Sequence, residues 1–450
     1  MKCEKCGSIV SEKDNFCNGC GHQLVHNNKG KKDGNFVNKC LKCGSEVGEQ
    51  DNFCMSCGQL LERNQSKNNV NNSEIAHDFE QFNKNDSKVY SDGTAKSFEK
   101  KSVDEIDLKS EAKNLFNNTT KSIGKFAGSE ESLKLNLRDM FSEVFKSHTK
   151  DESDEVFIAG TKTTTPDLND VSQEWGKPWV FSRVFLAFSI TFAALWVLAV
   201  VFQNEKAIPG LIFIGALTVP LAGLFFFFES NAFKNISLFE VLKMFFIGGV
   251  FSLISTMILY QFISFSDDYY LFGTMTVTDA ILVGLVEETG KAVIIIYFIN
   301  KHKTNKILNG LLIGGAIGAG FAVFESAGYI LEFSSDVENE MIHMVFLRGW
   351  TAIGGHLVWS AIVGTAIVIA KEEKNFVFNK VIDKRFLFFY FTSVILHAIW
   401  DTSFSFEETG IVKYIVLIVI VWTYIFILMK AGLNQVNVLQ NKAVESMEKN

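Results

Sequence analysis

The chain has 450 residues, 48% of them hydrophobic, and a formal net charge of -7. These averages join two unlike halves: up to about Trp175 the chain is rich in Lys, Asn, Ser, Asp and Glu, and beyond it in Phe, Ile, Val, Leu, Gly and Ala. The net charge therefore selects no class of partner. All eight cysteines lie in the first sixty residues, which excludes a cysteine nucleophile or an extracellular disulfide in the apolar half. Met1 is followed by Lys, Cys and further charged residues, with no basic and then apolar leader, so the N-terminus is expected in the cytosol.

The first elements are two copies of C-x2-C-x10-C-x2-C, formed by Cys3, Cys6, Cys17 and Cys20 and by Cys40, Cys43, Cys54 and Cys57. Asp14-Asn15-Phe16-Cys17 returns as Asp51-Asn52-Phe53-Cys54, so one small unit is repeated, over 1–25 and again over 38–62. A glycine follows every pair (Gly7, Gly21, Gly44, Gly58) and permits the tight turn in which backbone N–H groups approach thiolates. Four thiolates in two such turns make a closed tetrahedral zinc site, and a reducing cytosol argues against disulfides. One structural zinc is expected in each ribbon. His22 and His26 fall outside completed sets of four and read as surface residues. The units resemble the short zinc ribbons of many bacterial membrane proteins. Without a dense basic face they favour a cytosolic protein partner, or plain capping, over nucleic acid.

Residues 63–175 are polar, with runs such as Asn64-Gln65-Ser66-Lys67-Asn68-Asn69, and read as a mostly disordered linker. Within it Leu133, Leu137, Met140, Phe141, Val144 and Phe145 form a helical stripe. Such a stripe suits a membrane surface, a second copy, or no more than a transient helix.

The remainder predicts an all-α polytopic membrane domain over 180–432 and a cytosolic tail over 433–450. A transmembrane helix needs about 20 mainly apolar residues. Eight segments qualify, over 183–202, 207–228, 238–265, 277–299, 307–331, 344–370, 386–404 and 411–429. The loops at 300–306 and 371–385 are lysine-rich, whereas Asp267-Asp268, Asp336 with Glu338, and Glu407-Glu408 are acidic. By the positive-inside rule the basic loops are cytosolic and the acidic ones external. An even number of spans then keeps both termini in the cytosol, where the thiolates stay reduced.

Four of these spans carry groups that lipid rejects: Glu287, Glu288 and Lys291; Glu325; His356; and His397 with Asp401. Charge at mid-bilayer costs roughly 2.5–3.5 kcal/mol on insertion scales, so such groups mark an interior site by default. At about 1.5 Å of rise per residue, all of them can reach one cavity in the middle or outer half of the bilayer. Glu287 and Lys291, four apart, are in position for an ion pair. His397 and Asp401, also four apart, suit two ligands on one metal, a carboxylate orienting an imidazole, or a simple hydrogen bond. Gly310, Gly314, Gly318 and Ala322 precede Glu325 at four-residue spacing, a small-residue stripe that admits a neighbouring helix and turns Glu325 towards it. Two imidazoles and several carboxylates are what metal-activated hydrolysis uses. G-x-S-x-G and H-E-x-x-H are both absent.

Glu287-Glu288-Thr289-Gly290-Lys291 resembles the E-E-x-x-K motif of the PrsW-type intramembrane metalloproteases, relatives of the CAAX-prenyl endopeptidases. Phe321 to Glu325 resembles their F-x-x-x-E helix, Arg348 through His356 to Gly364 their R…H…G helix, and His397 to Asp401 their H-x-x-x-D. The resemblance covers the membrane half only. It implies cleavage of a membrane-anchored protein near its extracytoplasmic side in a prokaryotic cell membrane, with an anti-sigma-factor-like substrate as one option. It further implies Glu287 as the base that activates water, assisted by Glu288. His356 and His397 would hold a divalent metal, zinc by preference, joined by Glu325 or Asp401. Lys291 would compensate charge or stabilise the oxyanion. Two other classes stand beside this one. An ion- or proton-coupled transporter would use the same buried groups, although no internal repeat or Pro-broken helix pair is visible. A non-catalytic zinc-ribbon scaffold or sensor would use them only to hold the bundle.

Overall fold

The computed structural model describes residues 38–39, 46–47, 108–129, 131–272, 275–372, 374–402 and 410–448. The chain divides into two units, Met1–Ser102 and Val103–Asn450. In the first, β1 (Asn38–Lys39) and β2 (Glu46–Val47) pair antiparallel, with Asn38 opposite Val47. All eight cysteines of the expected ribbons lie outside the described residues.

The second unit is helical. After α1 (Leu108–Phe126) come α2 (Val180–Trp196), α3 (Ile208–Ser230), α4 (Leu238–Tyr260, with a wide turn at Met244–Gly248), α5 (Val277–His302) and α6 (Ile307–Glu332). They are followed by α7 (Ile342–Thr351), α8 (His356–Lys371), α9 (Lys384–Asp401) and α10 (Ile411–Glu448). Among the described residues six helical stretches are long and apolar enough to cross a membrane, α7 and α8 together making one of them. Two further helices have the length but not the composition: α5 carries Glu287, Glu288 and Lys291, and α9 carries Lys384, Arg385 and Asp401. Six of the eight expected spans are thus met in length and composition among the described residues, and the other two, over 277–299 and 386–404, are helices that do not meet the composition.

Helix α6 is the axis of the bundle, buried along nearly its whole length. Its glycines make this possible. A Cβ on Gly310 would lie 2.8 Å from Gly364 O, one on Gly314 2.8 Å from the Ser360 carbonyl carbon, and one on Gly318 against His356 O. The small-residue stripe thus faces α8, and backbones touch where larger residues would hold them apart. On its other side α6 meets α4, where a Cβ on Gly249 would lie 2.6 Å from the backbone of Gly320.

Between α7 and α8 the backbone leaves the helix, through a tight turn at Ala352–Gly354 and a non-helical Gly355 (φ -100°, ψ -140°). Irregular backbone at membrane depth is tolerated where protein or a wet cavity surrounds it. Here Trp422 Nε1 donates to the freed Ile353 carbonyl at 2.9 Å. The break makes His356 the first residue of α8.

From Leu108 the structure differs from the reading of 63–175 as mostly disordered. Met140, on the amphipathic stripe, is 1% exposed. Phe141 packs near Phe226 and Phe181, Phe157 edges onto Phe225, and Trp175 onto Phe426. Met140 and Phe141 of the stripe therefore have partners within the chain, while Leu137 and Phe145 stay exposed. Glu229, at the end of α3, accepts from the N–H groups of Trp179, Val180 and Phe181 at 2.8–2.9 Å and so caps α2 from another helix. The expected tail over 433–450 is likewise no separate element, since α10 runs unbroken to Glu448. Gln435 accepts from Ile307 N, and Gln440 donates to the carbonyls of Leu168 and Val171.

Candidate active site

Helix α5 is the floor of the site, and two of its glycines set which helices reach it. A Cβ on Gly284 would lie 2.9 Å from Val394 O and 3.5 Å from His397 Cβ; one on Gly290 would lie 2.9 Å from Thr256 N. Helices α9 and α4 therefore close directly onto α5. Asp279 fixes the other end of the helix, accepting from Ser266 N at 2.8 Å and from Thr276 Oγ1 at 2.6 Å.

The groups predicted from sequence are brought together, in two layers. In the inner layer Lys291, fully buried, lies 2.7 Å from Glu288 Oε1 and 2.8 Å from His356 Nδ1, with its ammonium 4.3 Å from the Phe321 ring centre. Glu288 is also fully buried, and its Oε1 is 3.0 Å from His397 Nδ1. The lysine's close partner is Glu288, three residues away; Glu287, four away, is at 3.7 Å. The pair read from i,i+4 spacing is thus present, but it is the longer of the two that Lys291 makes.

The outer layer faces a cavity of about 770 Å³ lined by Glu287, Glu325, Arg348, His356, His397 and Asp401, among others; Glu288 and Lys291 are absent from its wall. Glu325 Oε2 is bound by Arg348 Nη2 at 2.6 Å and by His356 Nε2 at 2.9 Å, and Arg348 also reaches Ser326 Oγ at 3.0 Å. Asp401 Oδ2 lies 3.3 Å from His397 Nε2. Trp359 stacks on the His397 ring at 4.4 Å between centres, and the two imidazole rings are 5.1 Å apart.

Glu287 is the group at which the layers meet. Its Oε1 accepts from the Tyr260 hydroxyl at 3.0 Å. Its Oε2 is buried with no hydrogen-bond partner, 3.7 Å from His397 Nε2 and 3.9 Å from His356 Nδ1. Tyr260 was not among the residues singled out from sequence. A tyrosine at the end of a span is indistinguishable by pattern from an interfacial anchor.

All four motif helices fall within residues 238–429, and this stretch matches the model of the PrsW family intramembrane metalloprotease. Residues 238–429 are a PrsW-family domain. Residues 3–58 match the double zinc ribbon model. Protease PrsW of Clostridioides difficile (strain 630) is 26% identical over 215 residues, 47% of this chain and 87% of that protein. No solved structure matches the chain. The chain thus carries an intramembrane metalloprotease domain of the PrsW family behind a double zinc ribbon, with α1, α2 and α3 lying outside the matched PrsW stretch.

A PrsW-family metalloprotease implies a metal, and the donor set fits one. Ligand atoms of Glu287, His356 and His397 converge within 4.8 Å of one another. Imidazoles and a carboxylate are the set that catalytic zinc uses. Because Glu288 holds Nδ1 of His397, Nε2 is the nitrogen that a neutral ring offers to a metal, and it faces two carboxylate oxygens, Asp401 Oδ2 and Glu287 Oε2. A ring nitrogen with two carboxylate oxygens within 4 Å calls for a cation or a proton there. His356 is arranged otherwise: an ammonium only donates, so Nδ1 accepts from Lys291 and Nε2–H donates to Glu325. A metal would displace at most a proton from Nε2 of His397, whereas His356 would have to give up one of its two partners.

Proposed function

We propose that the protein hydrolyses a peptide bond of a membrane-anchored protein, in the middle or outer half of the bilayer, with Glu287 as the proton acceptor. The observation that carries this reading is Glu287 Oε2: buried, without a hydrogen-bond partner and within 4 Å of both imidazoles and of Lys291 Nζ, where a water molecule would be flanked by a base and the two histidines. Glu287 takes a proton from that water as its oxygen bonds to the scissile carbonyl carbon, and delivers it to the amide nitrogen as the C–N bond breaks.

His356 and His397 would hold the divalent metal, zinc by preference, with Asp401 beside His397; when bound it supplies Lewis acidity for the water and the carbonyl. Glu325 serves this reading better as the group that, with Arg348, orients His356. Glu288 orients His397, and Lys291 compensates Glu288 from behind the site, since neither faces the cavity. The ribbons would each hold one zinc, with eight spans and both termini in the cytosol. An anti-sigma-factor-like substrate fits the expected depth of the site. The cavity opens among charged groups that α5, α6, α8 and α9 hold in one connected network, and this favours chemistry over a transport path through the bundle.

The test uses full-length protein in proteoliposomes with a tagged library of single-span membrane proteins and maps new termini by mass spectrometry. Cleavage by the wild type that is lost in Glu287→Gln and in His397→Ala, with both variants folded, is the expected result. Cleavage that survives in Glu287→Gln overturns the assignment of the base.

A further inference from the structure

The hydroxyl of Tyr260 makes one hydrogen bond among the described residues, to Glu287 Oε1 at 3.0 Å. It arrives there by a specific route. Helices α4 and α5 run side by side, and where they cross, a Cβ on Gly290 would collide with Thr256, its atom N lying 2.9 Å away. Thr256 is one turn before Tyr260 on α4, and Gly290 is one turn after Glu287 on α5, so the contact that needs a glycine sets the tyrosine opposite the carboxylate. The glycine inside the motif serves the motif's first glutamate through a neighbouring helix.

Two pulls act on Glu287. Lys291 Nζ is 3.7 Å from Oε2 and attracts the carboxylate inwards, away from the cavity; Tyr260, on the cavity wall, holds Oε1. With Oε1 engaged, only Oε2 is left to face the imidazoles. We infer that Tyr260 is a positioning residue for the hydrolysis, holding Glu287 by one oxygen so that the other points at the histidine pair and does not collapse onto Lys291. This rests on the reading of Glu287 as the base, and one arm of the test stands without it.

Full-length wild type and Tyr260→Phe, which keeps the ring and its packing, are compared in proteoliposomes. The first readout needs no substrate: dicyclohexylcarbodiimide labelling, mapped by mass spectrometry. Loss of the hydroxyl frees Oε1 to add to the reagent, so labelling of Glu287 rises several-fold, while Glu325, held by Arg348 and His356, serves as the unchanged reference. The second readout is cleavage of whichever single-span protein the wild type cuts. Tyr260→Phe lowers kcat about 10- to 100-fold, the scale of one hydrogen bond to a charged group, with KM within twofold. Unchanged labelling of Glu287 overturns the contact. Altered labelling with wild-type kcat overturns its role in positioning. If Glu287→Gln still cleaves, the base assignment fails while the labelling result continues to decide the contact.

Discussion

Lys291 has three neighbours that matter: Glu288, His356 and the face of Phe321. Removing one member of a buried ion pair leaves an uncompensated charge and costs about 3–5 kcal/mol, whereas removing both costs much less. Lys291→Met is therefore expected to lower thermal stability in detergent severely, and the Glu288→Gln/Lys291→Met double variant to recover a large part of the loss. Equal destabilisation by the single and double changes would sink the pairing. The residue types of the site were legible from sequence because charge inside a span is conspicuous. Which carboxylate lies closer to Lys291 was not: positions three and four along a helix are both within reach of a lysine, and Glu288 lies at 2.7 Å where Glu287 lies at 3.7 Å. Nothing in a one-dimensional pattern separates Tyr260 from any other tyrosine near a membrane interface.

At the scale of the element, α6 and α8 illustrate what hydropathy reads and what it misses. The four-residue glycine spacing of α6 announced a close crossing, and Gly310, Gly314 and Gly318 do abut α8. A methyl group at Gly314 would strike the Ser360 carbonyl, a backbone atom that cannot turn aside. Gly314→Ala is expected to cost about 1–3 kcal/mol of stability and to reduce cleavage by shifting α8, which carries His356. A folded variant with undiminished melting temperature and cleavage would count against the tight crossing. The interruption at Ala352–Gly355 stayed hidden, since its residues are as apolar as their flanks and Gly354-Gly355 passes for ordinary packing glycine in an unbroken span. What the break achieves is positional: it brings the His356 ring to the cavity from the start of a helix.

For the whole molecule, the membrane half was legible because long apolar runs and four charged motifs within them point the same way. The segment from Leu108 to Trp179 was not, because its apolar residues are sparse and find partners far along the chain, as Trp175 does with Phe426 and Leu168 with Gln440. The metal complement can be measured in the intact protein. Two zinc ions in the ribbons and one in the membrane site predict three per chain for the wild type and two for a His356→Ala/His397→Ala variant, by elemental analysis after desalting; equal counts would separate the histidines from metal. The pairing of Glu288 with Lys291 also has a consequence for biosynthesis. The chain emerges N-terminus first, so α5 must enter the lipid before Glu325, His356, His397 and Asp401 exist to receive its charges. A counter-ion carried three residues away on the same helix needs no later helix to be made. Of Glu287, Glu288 and Lys291, the last two arrive already neutralised by each other, and Glu287 is the one left to meet groups from helices not yet made.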